Sequence, residues 1–203
     1  MDFEEHGRFD ARFVNVVDLE ATCWRGHPPT GQAQEIIEIG ICTVDLLERT
    51  RSAPKAFLVR SGRSSVSPFC TELTSITPER VKDAPTCAEV CEQIRLEYHT
   101  DSRPWFSWGD YDRTMLEAQS AVLGLQNPFG SDHTNLKPVF SAWKGTRRRY
   151  GMTEAVRSLG IALEGTHHRG VDDAWNTAAI LLAVLEATNG VLPVLEQEGV
   201  KTG

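Results

Sequence analysis

The chain has 203 residues, 40% hydrophobic and 24% charged, enough for one domain with a sizeable core and too ordinary for a disordered or fibrous protein. A formal net charge of −7 argues against a simple basic clamp on nucleic acid, which neutralises phosphates with excess Lys and Arg, but not against an enzyme that meets phosphates through metal ions. Cys23, Cys42, Cys70, Cys87 and Cys91 form no Cys-x-x-Cys pair, so no zinc ribbon is signalled and reduced thiols in an intracellular, cytoplasmic compartment are expected. No apolar run is long enough to span a bilayer, and the acidic start MDFEEHGRFD does not resemble a signal peptide.

Residues 1–11 read as a polar lead-in, 12–188 as the folded domain and 189–203 as a tail broken by Gly190, Pro193 and Gly199. Phe13–Cys23, rich in β-formers, predicts a strand. A loop with Pro28 and Pro29 follows, then strands over Glu35–Asp45 and Lys55–Arg60. Three strands joined by short connections imply an antiparallel meander. A Ser- and Pro-rich turn region leads to a short helix after Thr77-Pro78 and a longer one over Cys87–Tyr98. Trp105–Trp108 is a short buried strand. Asp112–Gly124 is helical, with Met115, Leu116, Gln119, Val122 and Leu123 on one face. Met152–Leu159 is a helix stopped by Gly160. The last core helix runs from near Asp172 to about Thr188 and is apolar on nearly all sides, which predicts burial. The alternation describes an α/β layered domain.

Three short patterns carry ionisable groups where a core element ends. Val14, Val16, Asp18 and Glu20 share one face of the first strand. Two carboxylates at the end of a core strand are costly unless something positive lies between them, and a hard divalent cation answers that need. Taken alone, Asp-x-Glu is more often a strand emerging into solvent. Asp112 opens a helix, where an acid suits the dipole, and shares a face with Met115 and Leu116; Asp110 is its rival, expected to be exposed. In HHRGVDDAWNTA, His168 and Asp173 put an imidazole on a loop and a carboxylate in the first helical turn. Spacing alone does not choose between Asp172 and Asp173, and His167 is a neighbouring decoy.

In this order and separation, Asp18-Leu19-Glu20, Asp112 with Met115 and Leu116, and His168-x4-Asp173 resemble the DEDDh family of 3′→5′ exonucleases. The stretches VVDLEATCW, EIIEIG, SPFCTELTSIT, SWGDYDRTML, HTNLK and HRGVDDAWNTA resemble the branch of histone-mRNA and short-interfering-RNA 3′-exonucleases and their bacterial relatives of the sporulation-inhibitor type. The likeness covers nearly all of 13–187. It implies an RNase H-like mixed sheet, three antiparallel strands and then parallel ones, flanked by helices. It implies catalysis by Asp18, Glu20, Asp112, His168 and Asp173 on the 3′ end of single-stranded RNA or DNA, RNA being favoured. The four acids would hold two divalent metal ions, Mg²⁺ with Mn²⁺ as substitute, and His168 would act as general base. Leu19, Ala21 and Thr22 would touch the terminal nucleotide.

Trp24, in a loop, is the better candidate to stack a base; Trp108, in a strand, reads first as core. Phe69, Leu73 and Ile76 have helical spacing and would wall the pocket or pack. Lys137, Lys144, Arg147, Arg148 and Arg149 form a basic cluster, either a groove for a strand or a solvated face. Two other functions are compatible with these residues: a metal-dependent phosphoesterase on small nucleotides, and a non-enzymatic nucleic-acid-binding module.

Overall fold

The computed structural model describes residues 12–193; the expected lead-in over 1–11 and the expected tail beyond residue 193 lie outside the described residues. Five strands form one sheet in the order β3-β2-β1-β4-β5. They are β1 (Phe13–Ala21), β2 (Ile36–Asp45), β3 (Thr50–Leu58), β4 (Trp105–Ser107) and β5 (His133–Asn135). β1 pairs antiparallel with β2, and β2 with β3; β1–β4 and β4–β5 are parallel. The mixed sheet expected from the sequence is thus present, with β1 at the junction of its two halves.

Alternation along β1 sorts its side chains. Val17, Leu19 and Ala21 join one core with residues of α3 (Cys87–Tyr98) and α4 (Tyr111–Leu123). Val14 and Val16 join the opposite core, which is filled from α5 (Leu136–Trp143), α6 (Met152–Ser158) and α7 (Gly170–Ala187). Asp18 and Glu20 therefore extend the α7-covered face beyond its apolar part. A third cluster, Ile37, Val66, Cys70, Ile76 and Val81, seats α1 (Pro68–Thr74) and α2 (Pro78–Lys82). Each fully buried aliphatic chain in these cores contributes roughly 1.5–3 kcal/mol.

Several elements differ from the sequence reading. β3 begins at Thr50, before Lys55, because it lies at the sheet edge, where Pro54 loses no ladder hydrogen bond. The region read as a turn contains α1, whose Ser67 caps it by accepting from the Cys70 N–H at 3.0 Å, with Pro68 at the first helical position. β5 and α5 were not foreseen as elements. α4 buries Asp112, Met115, Leu116 and Gln119 as expected, but Val122 and Leu123 are exposed. Gln119 already reaches the N–H of Ile36, the first residue of β2, at 2.7 Å, so the next turn runs past the sheet.

One backbone approach sets the position of α7. A side chain on Gly40 of β2 would fall inside the Gly170–Val171 peptide, and one on Gly170 would sit 3.0 Å from the Asp18 carbonyl. Only paired glycines let the start of α7 lie directly on β1 and β2.

Candidate active site

Three chain segments meet at the ends of β1 and β4. β1 brings Asp18, half-buried, and Glu20, buried. α7, pressed down by the Gly40–Gly170 contact, brings Asp173 from its first turn. One oxygen from each of Asp18, Glu20 and Asp173 can be chosen so that all lie within 4.8 Å of one another. α4 brings Asp112, 4% exposed, whose Oδ1 accepts the main-chain N–H of Leu19 at 2.9 Å.

Burial and neighbouring acids perturb Asp18 and Glu20 strongly. Burial, then Asp112, Asp173 and Glu20, hold the Asp18 carboxyl well above its usual range. Burial, then Asp173 and Glu38, push Glu20 to about 9. Asp112 rises only to about 6, because burial is offset by the Leu19 N–H, its own N–H, Ser107 and Lys137. Such upward shifts mark a place short of positive charge. An all-oxygen donor set this close fits hard divalent cations, with Asp18, Glu20 and Asp173 as one cluster and Asp112 flanking it.

The structure separates the rivals. Asp110 is exposed and accepts from Asn135 Nδ2 at 2.8 Å, away from the cluster. Asp172 accepts the Thr166 N–H at 2.8 Å and braces the preceding loop, while Asp173 turns inward. His168 adopts φ 65° and donates its main-chain N–H to Asp173 Oδ2 at 2.9 Å. Its ring nitrogen is lowered below the usual 6.5 by burial and by His167. The ring that meets the Asp173 carboxylate belongs to His167, with Nδ1 at 3.0 and 2.9 Å from the two oxygens. The rings of His167 and His168 stack, with centroids 3.9 Å apart.

Leu19, Ala21 and Thr22, expected to touch substrate, are all buried. The Thr22 hydroxyl is used within the fold, accepting the Glu35 N–H at 3.0 Å and donating to Ala33 O at 3.3 Å, so its side chain is not free for a ligand. Trp24 stays half-buried in its loop. Trp108 belongs to the core: its Nε1 donates to Tyr150 O at 3.1 Å and its ring meets Phe140 edge-on. Lys137 acts on Asp112, whereas Arg147, Arg148 and Arg149 are exposed on the loop after α5, with Arg148 paired to Glu154.

Three residues escaped the sequence reading as parts of the site. Glu38, fully buried, stands opposite Glu20 in the β1–β2 register and is paired with Arg169 at 3.0 Å. An acid on an otherwise apolar strand, Ile36-Ile37-Glu38-Ile39, was the available signal. Arg169, next to His168, is the cation that lowers Glu20. Tyr111 is 47% exposed, yet burial and the nearby acids Asp112 and Glu20 push its hydroxyl to about 12, which sets it beside the cluster.

Comparison with known proteins agrees with this geometry. Residues 16–181 match the exonuclease family RNase_T, and the chain belongs to that family. It is 28% identical over 202 residues to ERI1 exoribonuclease 2 of Danio rerio, covering 88% of this chain and 35% of that protein. It is 31% identical over 179 residues to ERI1 exoribonuclease 3 of Homo sapiens, covering 82% and 51%. The chain thus spans between a third and a half of these relatives' length. Among solved structures, the nuclease domain of 3′hExo, a DEDDh family member bound to rAMP, superposes with a TM-score of 0.81 at 25% identity, covering 92% of this chain and 97% of that one. The RNase H-like expectation for the fold holds.

Proposed function

We propose that this chain is a metal-dependent 3′→5′ exonuclease whose domain spans 12–188 and which removes nucleoside 5′-monophosphates from the 3′ end of single-stranded nucleic acid, RNA in preference to DNA. The observation that carries the reading is the convergence of Asp18, Glu20 and Asp173 within 4.8 Å, flanked by Asp112, in an exonuclease-family fold. Asp18, Glu20, Asp112 and Asp173 would hold two divalent cations, Mg²⁺ in physiological use and Mn²⁺ as a substitute. When bound, these ions neutralise charge on the phosphoryl oxygens and acidify the attacking water.

The chain's own groups do the rest. His168 accepts the water's proton on a ring nitrogen, and its lowered pKa keeps that ring neutral near pH 7. The phosphorus–O3′ bond breaks as the water oxygen bonds phosphorus. Asp173, by taking the His168 N–H, fixes the loop that presents the ring. The Leu19 N–H and Lys137 keep Asp112 more acidic than Glu20. Half-buried Trp24 and the exposed ring of Tyr111 offer surfaces on which a terminal base can stack. Action in the cytoplasm is part of this reading, supported by five free thiols. Among the described residues no helix is long and apolar enough to cross a membrane.

The test is digestion of matched 5′- and 3′-labelled single-stranded RNA and DNA of graded length with Mg²⁺, with Mn²⁺ and with EDTA. A 5′-labelled ladder shortening from the 3′ end, silenced by EDTA, is expected. Hydrolysis confined to mononucleotides would instead identify a phosphoesterase, and binding without cleavage a non-enzymatic module.

A further inference from the structure

The loop before α7 and the first turn of that helix carry a second donor set, which shares Asp173 with the carboxylate site and adds two imidazoles to it. His167, His168 and Asp173 each offer one ligand atom, all within 4.8 Å of one another. His167 Nδ1 already lies 2.9 and 3.0 Å from the Asp173 oxygens. Tetrahedral zinc sites have metal–ligand bonds of about 2.0–2.2 Å, which puts neighbouring ligands roughly 3.3–3.6 Å apart, so the observed spacing needs little adjustment. The stacked imidazoles present both rings on one side of the turn.

The loop is also held in place before any cation arrives. Thr166 N–H is bonded to Asp172 at 2.8 Å, His168 N–H to Asp173 at 2.9 Å and the Arg169 guanidinium to buried Glu38 at 3.0 Å. The His167 side chain is 41% exposed and gives a way in from solvent.

We infer that His167, His168 and Asp173 form a second metal site, selective for borderline-soft transition cations, Zn²⁺ foremost, and inhibitory when filled. Two imidazoles and one carboxylate suit Zn²⁺, Cu²⁺ or Ni²⁺, whereas Mg²⁺ prefers oxygen and keeps its water. A cation there takes the place of the proton shared by His167 and Asp173. It also takes the lone pair that His168 needs as a base, and it draws on the carboxylate that Asp173 supplies to Asp18 and Glu20. Asp173 is the wall common to both sites, so filling one disables the other. The site itself stands on geometry alone; its inhibitory effect rests on the exonuclease reading.

Binding is tested with Co²⁺ on the metal-free full chain, read by the visible absorption of tetrahedral Co²⁺. The band is expected in the wild type and in Asp18→Asn/Glu20→Gln, and absent in His167→Gln, with circular dichroism reporting that each variant is folded. A band that survives in His167→Gln but is lost in Asp18→Asn/Glu20→Gln would overturn the site, because the cation would then sit on the acids. Inhibition is tested by titrating Zn²⁺ into RNA cleavage supported by millimolar Mg²⁺. Loss of activity at micromolar Zn²⁺ is expected, reversed by a nitrogen chelator that ignores Mg²⁺, with the midpoint moved roughly tenfold or more in His167→Gln. The same midpoint in both proteins would overturn the inhibitory role. If the chain cleaves nothing, the proposed function fails, and the Co²⁺ band still decides the site.

Discussion

Replacing Glu20 by glutamine in the metal-free protein probes the acid cluster through stability. Glu20 is 8% exposed, and burial, with Asp173 and Glu38, carries its carboxyl from 4.5 to about 9. The unfolded chain releases this proton near 4.5, so between that value and about 9 the folded protein holds a proton that the unfolded one has lost. The group's contribution is therefore fully present below the unfolded value and disappears as pH rises through the folded one. At about 1.4 kcal/mol per unit, the penalty at pH 7 is roughly 3 kcal/mol. Glutamine removes the titration but leaves an amide to satisfy, so a net gain of ~2 kcal/mol, or about 4–8 °C in melting temperature, is expected.

The assay is a series of thermal melts in EDTA from about pH 5 to about pH 8.5. Wild type and Glu20→Gln coincide at the acid end and separate as pH rises, with the variant more stable. Mn²⁺ reverses the order: a cation that binds only the folded site adds ~2.7 kcal/mol at a hundredfold excess over Kd, and the variant has lost a ligand. A difference that does not change with pH, or a variant less stable at about pH 8, would refute the account of a crowded carboxylate site.

Asp112→Asn is expected to abolish nucleotide release while Asp110→Asn retains it within a fewfold, read by single-turnover cleavage; the reverse order would mean that the helix presents the other acid. His168→Ala is expected to lose about 10²–10⁴-fold in the same assay while still binding Mn²⁺. Because burial and His167 lower the His168 ring, its rising limb in the pH–rate profile lies on the acid side of 6.5, and the profile is flat above neutrality. A limb centred above 7, or one that survives in His168→Ala, would assign the proton transfer elsewhere.

The sheet and its direction changes were legible because β1 and β2 consist largely of branched residues in alternation, and α7 because its apolar surface left it nowhere but the interior. The four acids were legible as three short motifs in order. What the sequence hid has physical causes. β5 has three residues, too few to show a period. α5 does carry a stripe, Leu136, Val139 and Phe140, but it is only two turns long, holds Pro138 in its first turn and follows β5 directly, so the pattern is too short to stand out. Helical spacing leaves Asp172 and Asp173 level, and the resemblance alone favours Asp173, because the choice depends on the rotation of α7, set by Gly40 and Gly170, a contact between segments far apart in sequence. Glu38 was invisible as a site residue because its role comes from cross-strand register with Glu20 and from Arg169, neither of which local spacing reports.

The route by which β1 gains its neighbours also governs how the protein ages. The β1–β3 meander closes short loops, whereas the bond from Leu19 to Asp112 spans 93 residues and that from Arg169 to Glu38 spans 131. Long loops resist closure by entropy, and contacts of this range form late in folding. The acid cluster does not exist until α4 and α7 have closed on the meander. Interactions absent from the transition state leave the folding rate alone and slow unfolding. Divalent cations bound as proposed by Asp18, Glu20 and Asp173 would tie together segments that only the finished fold brings side by side, and would act on it as a latch.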